Sequence, residues 1–191
     1  MSEPTDPIPP LSSVLRATLA GLGDRVLSYH SQFGDDTITV AASDRLEASR
    51  WLMESEDTAF DILMDSTAVD WVEEEPRFEV VDHFFSSSKH HRLRMKCRVD
   101  EDEPELPSLC PLYGSANWME RETYDMYGIR FAGHPDLRRI LLYPEFEGYP
   151  LRKDYPKLKA HPLFEERYPG TRETDRVVHP KPGDLEPRHD P

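Results

Sequence analysis

FEVVDHFFSSSKHHRLRMKCRV, residues 78–99, is the stretch on which the fold turns. Two strand-like runs, Phe78 to Phe85 and His91 to Val99, flank Ser86-Ser87-Ser88-Lys89-His90, a short polar join that suits a β-hairpin. In the second run Leu93, Met95, Cys97 and Val99 alternate with Arg92, Arg94, Lys96 and Arg98. Successive strand side chains point to opposite faces, so one face is apolar and the other basic. Cys97 therefore faces a core, away from the partial exposure and electropositive setting that a reactive thiol needs. The basic face is expected to be neutralised by Glu79 and Asp82 on the first run, with Asp100 to Glu105 nearby, as a solvated sheet surface.

Upstream, Phe60, Ile62 and Met64 alternate with Asp61, Leu63 and Asp65, which predicts another strand ending near Thr67 to Trp71. Thr37 to Ala41 is a β-branched run, and Ser43 stands where an N-cap would open a helix through Asp44 to Glu54 that exposes many charges. Leu11, Val14, Leu15, Thr18, Leu19 and Leu22 recur at helical steps and predict an amphipathic helix. Strands before and after helices, without regular alternation, point to an α+β fold. Its sheet should be mainly antiparallel with helices packed on it, and mixed pairing is allowed at one edge.

The 191 residues suffice for one domain with tails, and the eighteen prolines mark the tails. Four fall within the first ten residues and nine from Pro144 onward. The expected organisation is a disordered tail at 1–10, a folded domain at 11–132, an extended partner-docking arm at 133–160 and a proline-rich tail at 161–191. Charged residues make up 31% of the chain against 37% apolar, which agrees with polar, extended ends.

Charge is unevenly spread. Residues 1–129 hold eleven Lys/Arg against twenty-six Asp/Glu, whereas residues 130–160 hold seven against four. An acidic body repels nucleic acid and anionic lipid, whose affinity comes largely from phosphates neutralised by Lys and Arg. A basic, proline-punctuated arm is suited to an acidic groove on a partner protein. Two cysteines, Cys97 and Cys110, fall short of the four thiolates of an iron–sulfur cluster, or of a structural zinc site without several added histidines. They read as free, reduced thiols. Neither a leader-like start nor a run of about 18 apolar residues is visible, so a soluble cytoplasmic chain without membrane insertion is expected.

From Gly114 to Pro156 the sequence reads GSANWMERETYDMYGIRFAGHPDLRRILLYPEFEGYPLRKDYP. Asn117 with Glu120 three residues on predicts a capping box, Trp118 to Tyr127 a helix, and Gly128 its left-handed end. Trp118, Glu122 and Asp125 share a stripe, and Arg121 can reach Asp125 one turn later. Glu120, Glu122, Asp125, His134 and Asp136 include acid/base and ligand chemistries, but their spacing matches no mechanistic pattern such as H-E-x-x-H. An ion-paired interface with Arg121, Arg138 and Arg139 is preferred to catalysis. Beyond a His134-Pro135-Asp136 turn, Pro144, Pro150 and Pro156 keep the chain extended, so its order should come from another surface that supplies hydrogen bonds, and carboxylates for Arg152 and Lys153.

These residues resemble the 30 kDa, or C-type, subunit family of complex I, the NADH-quinone oxidoreductase. The resemblance rests on Glu120-Arg121-Glu122, Tyr124 to Ile129, Gly133-His134-Pro135-Asp136-Leu137-Arg138-Arg139-Ile140-Leu141, Glu147-Gly148 and Pro150 to Pro156. It extends more weakly upstream to about Phe60, and Cys110 stands where a threonine is common in the family. The resemblance implies a small non-catalytic subunit of the hydrophilic arm of a proton-translocating NADH:quinone oxidoreductase. It would lie peripherally on the cytoplasmic face of the inner membrane, beside the quinone-site (49 kDa, or D-type) subunit and other arm subunits. FMN, iron–sulfur clusters and quinone would sit on those partners, with no catalytic, cofactor or metal residue here. The expected partner interface is Glu120, Arg121, Glu122, Asp125, His134, Asp136, Arg138, Arg139, Arg152, Lys153, Asp154 and Tyr155. Two alternatives are the equivalent subunit of a related membrane-bound hydrogenase or dehydrogenase, and a stand-alone metal-dependent hydrolase built on Glu122, Asp125 and His134.

Overall fold

The structure is a computed structural model that describes residues 11–156; the expectations for 1–10, 157–160 and 161–191 lie outside the described residues. Helix α1, Ser13–Leu22, begins where the Ser12 hydroxyl accepts the Leu15 amide at 2.9 Å and donates to the Asp36 carboxylate. Val14, Leu15, Thr18 and Leu22 are its buried face, as the periodicity predicts. A hairpin of β1, Val26–Gln32, and β2, Asp35–Val40, leads into α2, Arg45–Glu54. Then follow β3, Ile62–Asp70, β4, Phe78–Phe85, β5, Arg92–Val99, the short β6, Glu105–Pro107, helix α3, Ala116–Tyr127, and β7, Arg130–Ala132.

The main sheet has the order β1-β2-β5-β4-β3, and β6 and β7 form a separate parallel pair. Strands β3, β4 and β5 are an antiparallel meander, and β1 with β2 an antiparallel hairpin. The single parallel pairing of this sheet joins β2 to β5, setting Ile38 opposite Met95 and Val40 opposite Cys97. It therefore lies inside the sheet rather than at an edge. The α+β class stands, and the mixed pairing is the seam between two antiparallel pieces.

Hairpin β4–β5 follows its alternation closely. Leu93, Met95, Cys97 and Val99 are buried, while across the other face Lys96 and Arg98 bond Glu79, and Arg98 also reaches Glu74. Asp82 departs from expectation. Its parity in β4 is that of Phe78, Val80 and Phe84, so it points into the core opposite Met95 instead of neutralising the basic face.

Strand β3 shows a different correction. Leu63 is 2% exposed, whereas Ile62 and Met64 are 41% and 45% exposed, the reverse of the predicted phase. An irregularity between Leu63 and Asp65 inserts a residue and shifts the alternation, so that Ser66, Ala68 and Asp70 turn inward. Phe60, fully buried, belongs to the loop before the strand, where the Tyr113 hydroxyl donates to its carbonyl at 2.8 Å. Ser43 is not a cap either. It lies within a turn of 3₁₀ helix, Ala42–Asp44, and α2 starts with Arg45, which is wholly buried.

Helices and sheet enclose one core that includes Leu15, Ile38, Leu52, Phe60 and Phe84. The approach of α1 to α2 is very close: a Cβ built on Gly21 would lie 1.8 Å from the Trp51 ring. Gly21→Ala should therefore destabilise the fold. Helix propensity favours alanine by about 1 kcal/mol, but overpacking of this kind costs roughly 1–3 kcal/mol. The expected outcome is a lower denaturant midpoint for the variant than for the parent.

Residues 133–143 and 148–155 belong to the same compact unit as the body. Pro144–Glu147 group with a second unit, of which Pro156 is the other described residue, and form a short turn with Phe146 buried.

Candidate functional site

Strands β3, β4 and β6 and helix α3 all meet Arg45 of α2. Its guanidinium donates from Nε and Nη2 to both oxygens of Asp82 at 2.8 and 2.7 Å, and from Nη1 to Glu120 Oε1 at 2.9 Å. The Pro107 carbonyl at 2.7 Å and the Ser66 hydroxyl at 3.0 Å complete five bonds, the full donor capacity of the group. The Phe131 ring lies 5.2 Å away. Burial alone pushes the Arg45 pKa down, but the charge of Asp82 and its hydrogen bonds, aided by Glu120, outweigh it and leave the cation held above its ordinary value. Glu120 also accepts the Ser108 hydroxyl at 2.6 Å and the Leu109 amide at 2.8 Å. Thus α2, β4, α3 and the loop ahead of α3 are fastened by one buried cluster. Cys97 lies in the same core, its thiol pushed up by burial and then by the Asp82 charge, which makes it inert as a nucleophile.

A second fastening holds the strip beyond Gly133. Asp125, buried on α3, accepts the amides of Ile140, Leu141 and Leu142 on Oδ2 at 3.0, 2.8 and 2.9 Å, and Arg139 Nη1 on Oδ1 at 2.7 Å. Burial works against the Asp125 carboxylate, but these donors together hold its pKa below the ordinary value. Successive amides converging on one oxygen form an anion-binding nest, here filled by the chain's own side chain. Arg139 continues to the Gly148 carbonyl at 3.0 Å and lies over the Tyr149 ring.

The far end of the strip is latched by Arg77. Both Asp70 oxygens accept from it at 2.8 Å, Asp154 does so at 2.8 and 3.3 Å, and Glu101 at 2.5 Å. The Lys153 amide adds a bond to Asp70 at 2.7 Å. Hydrogen bonds from Arg77 are the chief reason that Asp70 and Asp154 are both held below the usual carboxylate range. Arg152 donates to the Tyr127 carbonyl at 2.6 Å between the rings of Phe78 and Tyr149. Gly128 is required twice over: it ends α3 in the left-handed conformation, and a Cβ there would meet the Tyr149 ring at 2.5 Å.

The strip expected to borrow its order from a neighbouring polypeptide thus takes it from its own body. Acidic partners for its basic side chains come from the same chain: Asp125 takes Arg139, and Glu101 lies 4.0 Å from Arg152. Glu120 and Asp125, placed in the partner interface from sequence, are buried supports instead. Arg139 and Arg152, together with Asp154, tie the strip down, while Lys153 does so through its backbone and Tyr155 closes a turn by donating its amide to the Arg152 carbonyl. Nor does Asn117 with Glu120 form a capping box. Ser115 precedes α3 without capping it by side chain, and Glu120 turns inward.

Of the remaining interface candidates, Arg121, His134, Asp136 and Arg138 lie together at the start of the strip. Arg121, expected to reach Asp125, donates instead to the carbonyls of Arg138 and Arg139 at 3.1 and 3.3 Å, and its guanidinium lies 5.5 Å from the Trp118 ring. Trp118 is 63% exposed, and Glu122, Asp136, Arg138 and Leu141 are exposed as well. His134 accepts the Asp136 amide on Nδ1 at 3.0 Å, which leaves the proton on Nε2 to donate to the Asn117 carbonyl at 3.1 Å. The hydrolase set does not assemble, since Glu122 points to solvent while Asp125 is saturated by amides and Arg139. Arg45, Asp82, Asp70 and Arg77 were missed as site residues. The parity of Asp82 among the inward residues of β4 is the signal that could have found the cluster. Among the described residues, no helix is long and apolar enough to cross a membrane.

Comparison with known proteins agrees with this architecture. Residues 38–161 match the family described as respiratory-chain NADH dehydrogenase, 30 Kd subunit. The second C-type subunit of the NADH-quinone oxidoreductase of Rhizobium etli (strain CIAT 652) is 44% identical over 153 residues, 78% of this chain and 81% of that protein. The C-type subunit of the same enzyme of Rhizobium johnstonii is 45% identical over 134 residues, 70% of this chain, and the match spans 66% of that relative's length. Among solved structures, the trypsin-resistant fragment (1–134) of Nqo5 superposes with a TM-score of 0.56 at 26% identity, covering 66% of this chain and 100% of the fragment. A chain of the membrane-bound sulfane sulfur reductase, an archaeal respiratory membrane complex, shares the fold with a TM-score of 0.67 at 22% identity over 93% of this chain and 96% of that one. On the strength of the match across residues 38–161 and of these relatives, the chain belongs to the family of the 30 kDa subunit of respiratory-chain NADH dehydrogenase.

Proposed function

We propose that this chain is a non-catalytic subunit of the peripheral arm of a proton-translocating NADH:quinone oxidoreductase. It docks on the subunit that forms the quinone site, on the cytoplasmic side of the inner membrane, and supports electron transfer from NADH to quinone by fixing that subunit's geometry. FMN, iron–sulfur clusters and quinone belong to the partners in this reading. Support comes from the commitment of the buried ionisable groups: Arg45, Asp70, Arg77, Glu120 and Asp125 are each engaged in several internal bonds, an arrangement that builds rigidity rather than acid/base chemistry.

The observation that carries the docking role is exposed Trp118 beside half-buried Arg121. Tryptophan and arginine are enriched at interface hot spots, and side chains held still before binding lose little entropy on docking. Arg121 is held by two carbonyls of the fastened strip, so Trp118 and Leu141 project from a preset surface. Trp118→Glu should abolish co-purification of this chain with its complex while leaving its own melting temperature within a degree or so of the parent, because exposed substitutions seldom shift stability by more than about 0.5 kcal/mol. Retention of the variant in the complex would count against this surface. A flavin-bearing, NADH-oxidising protein among the co-purified subunits separates this reading from a hydrogenase or another dehydrogenase.

A further inference from the structure

Glu120 has a neighbour on the side away from Arg45. Its Oε2 is 3.6 Å from the Cys110 sulfur, and one donor atom from each of Cys110, Glu120 and His134 lies within 4.8 Å of the other two. We propose that these three side chains bind a divalent cation of the zinc class through thiolate, carboxylate and imidazole, with water in the fourth position.

Geometry supports the site first. Tetrahedral bonds of about 2.3 Å to sulfur and about 2.0 Å to oxygen set the two ligand atoms roughly 3.5 Å apart, close to the separation that Cys110 and Glu120 already have. The S–H contact to Oε2 stands where a metal would bridge the same atoms. On binding, the thiol proton leaves to solvent, which half-buried Cys110 can reach, and sulfur–metal and oxygen–metal bonds replace that contact.

His134 is already set like a ligand. Its Nε2–H is fixed on the Asn117 carbonyl and its Nδ1 carries a lone pair, the pattern by which metal-binding histidines are oriented. Binding through Nδ1 exchanges the Asp136 amide for the metal and draws the ring in to a tetrahedral edge of roughly 3.5 Å. The ring belongs to the turn after β7, outside any helix or strand. On the other side, Arg45 and the Leu109 amide hold Glu120 through Oε1, leaving Oε2 for the cation and the Ser108 hydroxyl.

Charge points the same way independently. Arg45 is shared by two ionisable carboxylates, Asp82 and Glu120, and all three side chains are fully buried. With both ionised, the cluster carries one negative charge in excess of its guanidinium. A dication brought in with one thiolate adds one positive charge and balances it. The mixed thiolate and imidazole set selects zinc or cobalt over magnesium or calcium, which prefer all-oxygen sites. Such an ion would clip the loop before α3, α3 itself and the turn after β7 at one point.

The test is titration of the purified, chelator-stripped full chain with cobalt(II), followed by absorption. Wild type should show a near-ultraviolet sulfur-to-cobalt charge-transfer band that saturates at one cobalt per chain. Cys110→Ser should remove the band, and His134→Gln should weaken binding by at least the roughly ten- to hundredfold that loss of a supporting residue costs. Circular dichroism should confirm that both variants are folded. Absence of the band in folded wild type, its survival in Cys110→Ser, or unaltered affinity in His134→Gln would each overturn the site.

Discussion

Arg45→Met is expected to lower the stability of the fold by roughly 3–5 kcal/mol, the usual penalty for leaving buried charge without its partner. Against a typical total of about 5–15 kcal/mol, such a loss brings the domain close to unfolding at ambient temperature. Five acceptors lose their donor at once: two oxygens of Asp82, one of Glu120, the Ser66 hydroxyl and the Pro107 carbonyl. Arg45→Lys should recover little, because an ammonium has three donors and cannot reproduce the planar fork that grips Asp82 on two atoms. Arg45→Met combined with Asp82→Leu should recover part of the loss, since it removes the carboxylate that the single change strands. Urea midpoints of the four proteins give the ranking directly. A single variant as stable as the parent would contradict the cluster's role.

The second large effect concerns the strip. Asp125→Ala removes the acceptor of three consecutive amides and of Arg139, and each unsatisfied donor costs about 1–3 kcal/mol while it stays buried. The strip has an escape that the core lacks, because it can leave the body and let water satisfy those amides. The expected result is local: residues 137–153 become accessible to proteases and to rapid hydrogen exchange, while the global unfolding midpoint moves less than in Arg45→Met. Acidity should act in the same sense. Asp70, Asp125 and Asp154 all have folded-state pKa values below their ordinary ones. Their contribution is complete above an unfolded carboxylate value of about 3.9 and is lost as pH falls through the folded values. Acid should therefore release the strip of the parent protein, and at Asp125→Ala the exchange of Ile140, Leu141 and Leu142 should be fast already at neutral pH. Unchanged protection in that variant would show that Asp125 is not the fastening.

Much of the scaffold was legible from sequence because it is written in local periodicity. The alternation of Leu93, Met95, Cys97 and Val99 gave the inner face of β5, the helical spacing from Val14 to Leu22 gave the buried face of α1, and Gly128 marked the end of α3. Strand β1 was not visible, since most of its residues are exposed on a sheet edge and carry no alternation. The phase at the start of β3 was misread because buried Phe60 belongs to the loop before the strand and not to its alternation.

The site was the least legible part. Arg45 lies 37 residues from Asp82 and 75 from Glu120, and a charged residue read by itself looks outward. Only the fold reveals that three charges in three elements converge in the interior. The strip illustrates the same limit. Its prolines and aromatics show that something must supply its hydrogen bonds, and the shift from acidic body to basic segment shows the sign of that surface. Neither shows which polypeptide owns it. Here the partners lie within the same chain, Asp125 for Arg139 at one end and Arg77 for Asp154 at the other, so the segment completes the protein's own structure and leaves Trp118, Arg138 and Leu141 to face outward.

That division of labour, an internally fastened strip beneath an outward docking face, is tested most directly by amide hydrogen exchange on the isolated full chain at neutral pH. Protection at Ile140, Leu141, Leu142 and Lys153 comparable to that of the surrounding body is the expected result. Exchange at those four amides as fast as in an unfolded chain, slowing only when other subunits are added, would contradict it and return the ordering of the strip to a partner.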